Sequence, residues 1–283
     1  MANYTYEKLN SHLYRIRDAL GVAMYLAVGE KQAALVDTGY GLVGLRELVE
    51  SLTDLPAFVL LTHGHLDHAP GVYEFDTVYI HPADQELFVF HSDPERRRNF
   101  LAGQGINADE YVFQSQCSID LLPVEDGQVF DLGGLHIRAF HVPGHTQGMT
   151  MYLFEEDRLM LFGDACGPNT MIMEDCSSKL GDYYEALKRI KAHEGDYDGI
   201  LRNHGTCQSE KDLLDNVMAV CQRILAGTDD HVLLPDAMQK MLPSALNPVP
   251  LSYSARAMEM TEKGTVYPDG LGEGNIYYRQ DKV

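Results

Sequence analysis

The stretch LTHGHLDHAPG, residues 61 to 71, follows the apolar run Phe58-Val59-Leu60 and sets down His63, His65, Asp67 and His68 within six positions. A short apolar run bounded by turn residues reads as a buried central strand. Four ligand-type side chains therefore stand where such a strand ends. In extended chain alternate side chains share a direction, so His63 and His65 can grip one cation from one side. Asp67 and His68, on the next bend, would miss that ion but could take a second.

Three further candidates each come directly after an apolar strand: His145 in FHVPGHTQG, Asp164 in LMLFGDACG and His204 in ILRNHGT. A carboxylate that ends an apolar strand is costly to desolvate unless a cation pairs with it. Imidazole with carboxylate is the donor set that zinc, iron or manganese accepts.

Around these sites the chain alternates. Val22 to Val28 and Ala33 to Val36 read as strands ended by Gly29 and by Asp37-Thr38-Gly39. Leu42 to Leu52 carries apolar residues at helical spacing, and Phe58 to Leu61 is again a strand. After the strand Val78-Tyr79-Ile80, Pro82 opens a helix, and Asp93-Pro94 supplies the N-cap and first position of another. Residues 83 to 116 are thus read as a helical insertion. Strands resume over 128–131, 135–142, 150–154 and 158–162, the first two joined by the turn Asp131-Leu132-Gly133-Gly134. Leu180 to His193 and Ser209 to Leu225 are expected to be amphipathic helices around a short strand, Gly199 to Leu201. Strand-then-histidine-loop occurs near residue 62 and again near 141, which suggests two similar halves in a layered α/β sandwich.

The set THGHLDH (Thr62 to His68), PGHT (Pro143 to Thr146), FGD (Phe162 to Asp164) and NHG (Asn203 to Gly205), preceded by LVDTG (Leu35 to Gly39), closely resembles the metallo-β-lactamase superfamily. The resemblance covers roughly residues 13 to 226 and implies a four-layer αβ/βα sandwich. It places residues 1–283 in a single domain, with 227–283 as a C-terminal extension that closes the domain, supplies a pocket wall or joins a homodimer contact. It also implies two divalent ions, zinc first, with iron or manganese as alternatives. His63, His65 and His145 would hold one, Asp67, His68 and His204 the other, and Asp164 would bridge both. Asp37 would orient the ligand loop. The remaining histidines, His12, His81, His91, His136, His141, His193 and His231, are read as hydrogen-bonded structural residues.

Such a centre lowers the pKa of bound water from ~15.7 to about 7. The expected activity is hydrolysis of a small ester, thioester or lactone by metal-activated hydroxide, with Asp67 relaying a proton to the leaving group. The branch stays open between glyoxalase II-like thioesterases and lactonases: the tail has few basic residues to hold glutathione, and Gly167 stands where lactonases carry a Tyr. A mononuclear-iron persulfide dioxygenase and a non-catalytic metal-binding protein are the alternative classes.

Composition limits the partners. With 22 basic against 42 acidic residues the formal charge is −20, which disfavours phosphate backbones and anionic lipid. Nucleic acid and membrane are not expected; a small-molecule substrate is. The basic run Arg96-Arg97-Arg98 reads as a solvated helix face, with a substrate-anion contact as the minority reading. Five cysteines without a CxxC pair read as free thiols of a reducing, cytoplasmic compartment. Cys166 is read as packing, and the insertion around Leu87 to Arg96 as either packing or a lid.

Overall fold

The computed structural model describes residues 3–235, 252–261 and 264–283. Pro243, Pro248 and Pro250 of the extension lie outside the described residues. The N-terminal half builds a seven-stranded sheet in chain order: β1 (Tyr4–Lys8), β2 (Leu13–Asp18), β3 (Ala23–Val28), β4 (Ala33–Val36), β5 (Ala57–Leu60), β6 (Val78–Ile80) and β7 (Leu121–Pro123). It is antiparallel up to β4 and parallel from β4 to β7. Parallel neighbours need a crossover, and α1 (Leu45–Leu52) supplies the one between β4 and β5.

Further along come β8 (Val129–Asp131), β9 (His136–His141), β10 (Thr150–Phe154), β11 (Leu159–Leu161), β12 (Thr170–Ile172), β13 (Gly199–Leu201) and β14 (Gln208–Ser209). All but β12 form a second sheet, in the order β14-β13-β11-β10-β9-β8. Side chains alternate between the two faces of a strand, so central strands covered on both faces, such as β4 and β5, are apolar at every position. Tyr25, Ala34, Val36, Phe58 and Leu60 of the first sheet meet Ile137, Ala139, Tyr152, Phe154 and Leu161 of the second in one core. Their neighbours Met24, Leu26, Leu35 and Val59 turn the other way, onto α1. On the far side, Met151, Leu153, Met160 and Ile200 pack against α4 (Leu180–Lys191) and α5 (Leu213–Leu225). Helix, sheet, sheet, helix is the four-layer sandwich that the motif order implies.

The insertion holds α2 (Gln85–His91) and α3 (Pro94–Gly103), and Asp93 caps α3 by accepting from Glu95 N at 2.9 Å. Helical structure does not continue to residue 116. Gly105 adopts φ +78° just past the helix end, a conformation that glycine supplies without steric cost. Beyond a single helical turn at Ala108–Glu110, the chain returns to the sheet as an extended segment. The helix expected from Ser209 begins at Leu213, because Ser209 belongs to β14.

The C-terminal residues add β15 (Val232–Leu233), β16 (Ser252–Ser254), β17 (Glu259–Thr261), β18 (Gly264–Val266) and β19 (Ile276–Arg279). The third sheet runs β12-β19-β16-β15, and β12 pairs in parallel with β19. Ile276 and Tyr278 of β19 are fully buried in the core that α4 and α5 cover. Among the described residues no helix is long and apolar enough to cross a membrane.

Candidate metal centre

Because β4 runs parallel to β5, and β11 to β13, the C-terminal ends of these strands open onto a common edge. Asp37 follows β4, the loop carrying His63, His65, Asp67 and His68 follows β5, Asp164 follows β11 and His204 follows β13. His145 lies in the connection between β9 and β10. All seven candidate ligands meet there, drawn from four loops.

They gather in two sets. His63 Nε2 and His65 Nδ1 lie 3.1 Å apart, and His145 Nε2 is 2.9 Å from His65 Nδ1. In the second set His68 Nε2 is 3.1 Å from His204 Nε2, and Asp67 Oδ2 lies 3.6 and 3.5 Å from these two nitrogens. Asp164 stands between the sets. Its Oδ2 is 3.8 Å from His145 Nε2 and 3.6 Å from His68 Nε2, and its Oδ1 is 3.5 Å from His204 Nε2.

The outer nitrogens are held by the protein. His68 Nδ1 donates to Asp37 Oδ2 at 2.9 Å, and His145 Nδ1 donates to the Met171 carbonyl at 2.9 Å. Thr62 Oγ1 gives its proton to Asp37 Oδ2 at 2.8 Å and so accepts from His63 Nδ1 at 2.9 Å. Asp37, fully buried, also accepts from Thr62 N and Asn203 Nδ2. With their protons committed outward, the rings present lone pairs to one another at hydrogen-bond distance. That donor set suits cations, since facing lone pairs repel unless a positive charge lies between them.

Without an ion the electrostatics of the two sets differ. Burial, then the neighbouring imidazoles, holds His63 and His65 well below the usual histidine range. Burial would lower His68 as well, but Asp67 and Asp164 together outweigh it and raise that ring well above 6.5. His204 is raised mainly by Asp164, against burial. Burial would raise Asp164, yet His204 and His68 hold it well below the usual carboxylate range.

Several residues at the centre were not singled out by the sequence. Asp84, at the entrance to α2 and 1 % exposed, accepts from Gly64 N at 3.1 Å, Thr146 Oγ1 at 2.6 Å and Gly148 N at 2.7 Å. It ties the two histidine loops together. The signal was its place two residues after the strand-ending His81-Pro82, which reads locally as an ordinary helix entrance. Cys176 Sγ and Glu174 Oε2 stand 3.7 and 3.6 Å from His65 Nε2. His91, read as structural, stacks on His65 with ring centroids 5.0 Å apart. Burial pushes it down to about 4, so it is neutral at neutral pH. Cys166 is fully buried in the core under α4 and α5.

The basic run is not one solvated face. Consecutive helical residues point about 100° apart, and the three arginines take three roles. Arg97 is fully buried and donates to the Tyr40 and Gln114 carbonyls at 2.9 and 3.0 Å. Arg98 pairs with Asp109 on the surface. Arg96 lies over the Phe90 ring, its guanidinium carbon 3.4 Å from the centroid.

A cleft of about 1190 Å³ opens onto Asp67, Asp164, His145 and His204. It is lined by Phe90 and Phe100 of the insertion, by Leu20 and Tyr40, with which Phe100 packs, and by Met171, Met173 and Tyr267. The insertion and the C-terminal extension therefore both shape the approach to the centre.

Known proteins resemble this chain in sequence and fold. Over 191 residues the chain is 29% identical to the human protein named acyl-coenzyme A thioesterase MBLAC2, covering 59% of this chain and 66% of that one. It is 31% identical over 175 residues to the atrochrysone carboxyl ACP thioesterase of Claviceps purpurea, covering 60% of this chain and 47% of that one. The chain thus spans between about half and two thirds of the length of these curated relatives. A solved metallo-beta-lactamase from Pontibacter korlensis superposes with a TM-score of 0.57 at 17% identity, covering 77% of this chain and 99% of that one. Residues 17–197 match the family model described as the metallo-beta-lactamase superfamily. The chain belongs to the metallo-β-lactamase superfamily.

Proposed function

We propose that this protein is a metal-dependent hydrolase with a two-ion centre, and that its substrates are small thioesters. The observation that carries the reading is the convergence of seven side chains in two sets sharing Asp164, with the outer nitrogens of His63, His68 and His145 tied to protein acceptors. His63, His65 and His145 would hold one ion and Asp67, His68 and His204 the other. Zinc is the first expectation, with iron or manganese as alternatives. Bound there, the ions would supply hydroxide at neutral pH and polarise a carbonyl oxygen. The relatives named as thioesterases support thioesters over lactones.

The chain's own residues have defined tasks. Asp37 and Met171 O fix ring orientation, Asp84 fixes the spacing of the two histidine loops, and the apolar walls exclude water around the acyl group. Asp67, 22 % exposed at its side chain, is available to take a proton from the attacking water on one of its Oδ atoms and pass it to the departing sulfur. An Asp67→Asn protein that keeps both ions and full turnover would remove that role.

The test is elemental analysis together with thiol release from a panel of acyl thioesters, esters and lactones. Two ions per chain and chelator-sensitive thiol release are expected. One iron per chain with oxygen consumption on persulfides would replace hydrolysis by oxidation. Full loading without turnover on any substrate would leave a metal-binding protein.

A further inference from the structure

Arginines in this acidic chain are generally neutralised: Arg15, Arg46, Arg98, Arg138, Arg158 and Arg189 each sit beside a carboxylate. Arg96 lines the cleft, makes no ion pair among the described residues, and has a buried Nε without a partner. Its position is built rather than incidental. Successive ring contacts of 5.0, 5.2 and 3.4 Å lead from His65 through His91 and Phe90 to the guanidinium. The stack fixes a cation at a set reach from the metal centre, and a planar guanidinium stacked on an aromatic ring still offers its edge to a carboxylate.

Resting on the thioesterase reading, we propose that Arg96 docks a carboxylate at the far end of the acyl group, so that the substrates are thioesters of dicarboxylic acids. The acyl chain lies along Phe90 and His91 with its carbonyl at the metal centre. The other charges of the cleft favour the acyl end over a polyphosphate on the thiol. Asp93 and Glu95, which precede Arg96 in sequence, line the same cleft, as do Glu174 and Glu273. The second cleft arginine, Arg202, spends both terminal nitrogens on the His204 and Gln208 carbonyls and on Thr206, and only its buried Nε is left without a partner. A multiply phosphorylated handle would meet one guanidinium with its terminal nitrogens unspent, Arg96, among four carboxylates, whereas a single carboxylate needs only that one.

The test compares glutaryl with pentanoyl thioesters, each on pantetheine and on coenzyme A, for the wild-type, Arg96→Gln and Arg96→Lys proteins. The wild type should favour glutaryl by at least tenfold in kcat/KM on either thiol. Arg96→Gln should bring that ratio close to one, and Arg96→Lys should restore part of it. Calorimetric binding of glutarate against pentanoate to the metal-loaded protein provides a second arm that needs no turnover. The same preference and the same loss are expected there, so failure of hydrolysis is separable from failure of recognition. A wild type without glutaryl preference, or a preference that survives Arg96→Gln, overturns the assignment. So does an Arg96→Gln defect confined to coenzyme A thioesters whatever the acyl end, since the guanidinium would then serve a phosphate.

Discussion

Asp84 Oδ2 accepts a hydrogen bond from Thr146 Oγ1 at 2.6 Å, across 62 positions of sequence. The same carboxylate receives Gly64 N and Gly148 N, so one buried side chain sets the distance between the loop of His63 and His65 and the loop of His145.

Replacing it tests how far the first ion set depends on that clasp. In Asp84→Ala three donors lose their acceptor, and a buried unsatisfied donor costs about 1–3 kcal/mol. The denaturation midpoint should fall accordingly, and one ion per chain should be lost more readily than the other. Equal retention of both ions at wild-type affinity would show that the loops hold their spacing without it.

Asp37 should act on both sets, because it holds His68 directly and His63 through Thr62. Removal of such outer partners typically costs 10–100-fold in metal affinity. Competition with a chromophoric chelator should show weakening at both positions in Asp37→Ala. Loss confined to the position of His68 would mean that Thr62 orients His63 unaided.

Metal uptake should release protons near neutral pH. In the metal-free protein His68 and His204 are raised above 6.5, chiefly by Asp67 and Asp164 against burial. Raised imidazoles keep their protons below the folded pKa, and an ion must displace them. Affinity should therefore climb with pH until those rings have deprotonated. The stabilisation that these ion pairs give the metal-free protein is lost over the same rise. His63 and His65, held well below 6.5, contribute no proton. Zinc titrations at pH 7 in buffers of different ionisation enthalpy measure the release directly; a value of zero would contradict the ion-pair arrangement.

Gly64 should tolerate no side chain. A Cβ there would stand 2.7 Å from Phe88 N and 2.8 Å from the Asp84 carbonyl oxygen, both backbone atoms of the α2 entrance. Overpacking of this kind costs about 1–3 kcal/mol, and Gly64→Ala should lose that much in urea unfolding while disturbing metal loading. Gly167, with open space around its ideal Cβ, is the control. Equal stability of the two variants would show that α2 can retreat from the ligand loop.

Much of the candidate centre was legible in the sequence because the seven candidate ligands fall into four loops that each follow a strand, four of them after β5 alone, and a donor that ends a buried strand reports its position locally. The strands of the sandwich were legible for a related reason. Runs such as Ala33–Val36 and, after Thr150, Met151–Phe154 are buried on both faces and hence apolar. What the sequence could not tell was which side chains meet across the chain. Asp84 reads as a helix entrance, Arg96 and Arg97 as members of one charged run, and Cys176 as one thiol among five. The partners of Asp84, Arg97 and Cys176 lie tens of residues away, and Arg96 meets Phe90 only because the chain turns between α2 and α3. Local pattern fixed the donors and the strands that carry them, because periodicity and strand ends are properties of neighbouring residues. Tertiary packing decided the outer partners, the cleft walls and the free guanidinium, because those depend on contacts that no local pattern encodes.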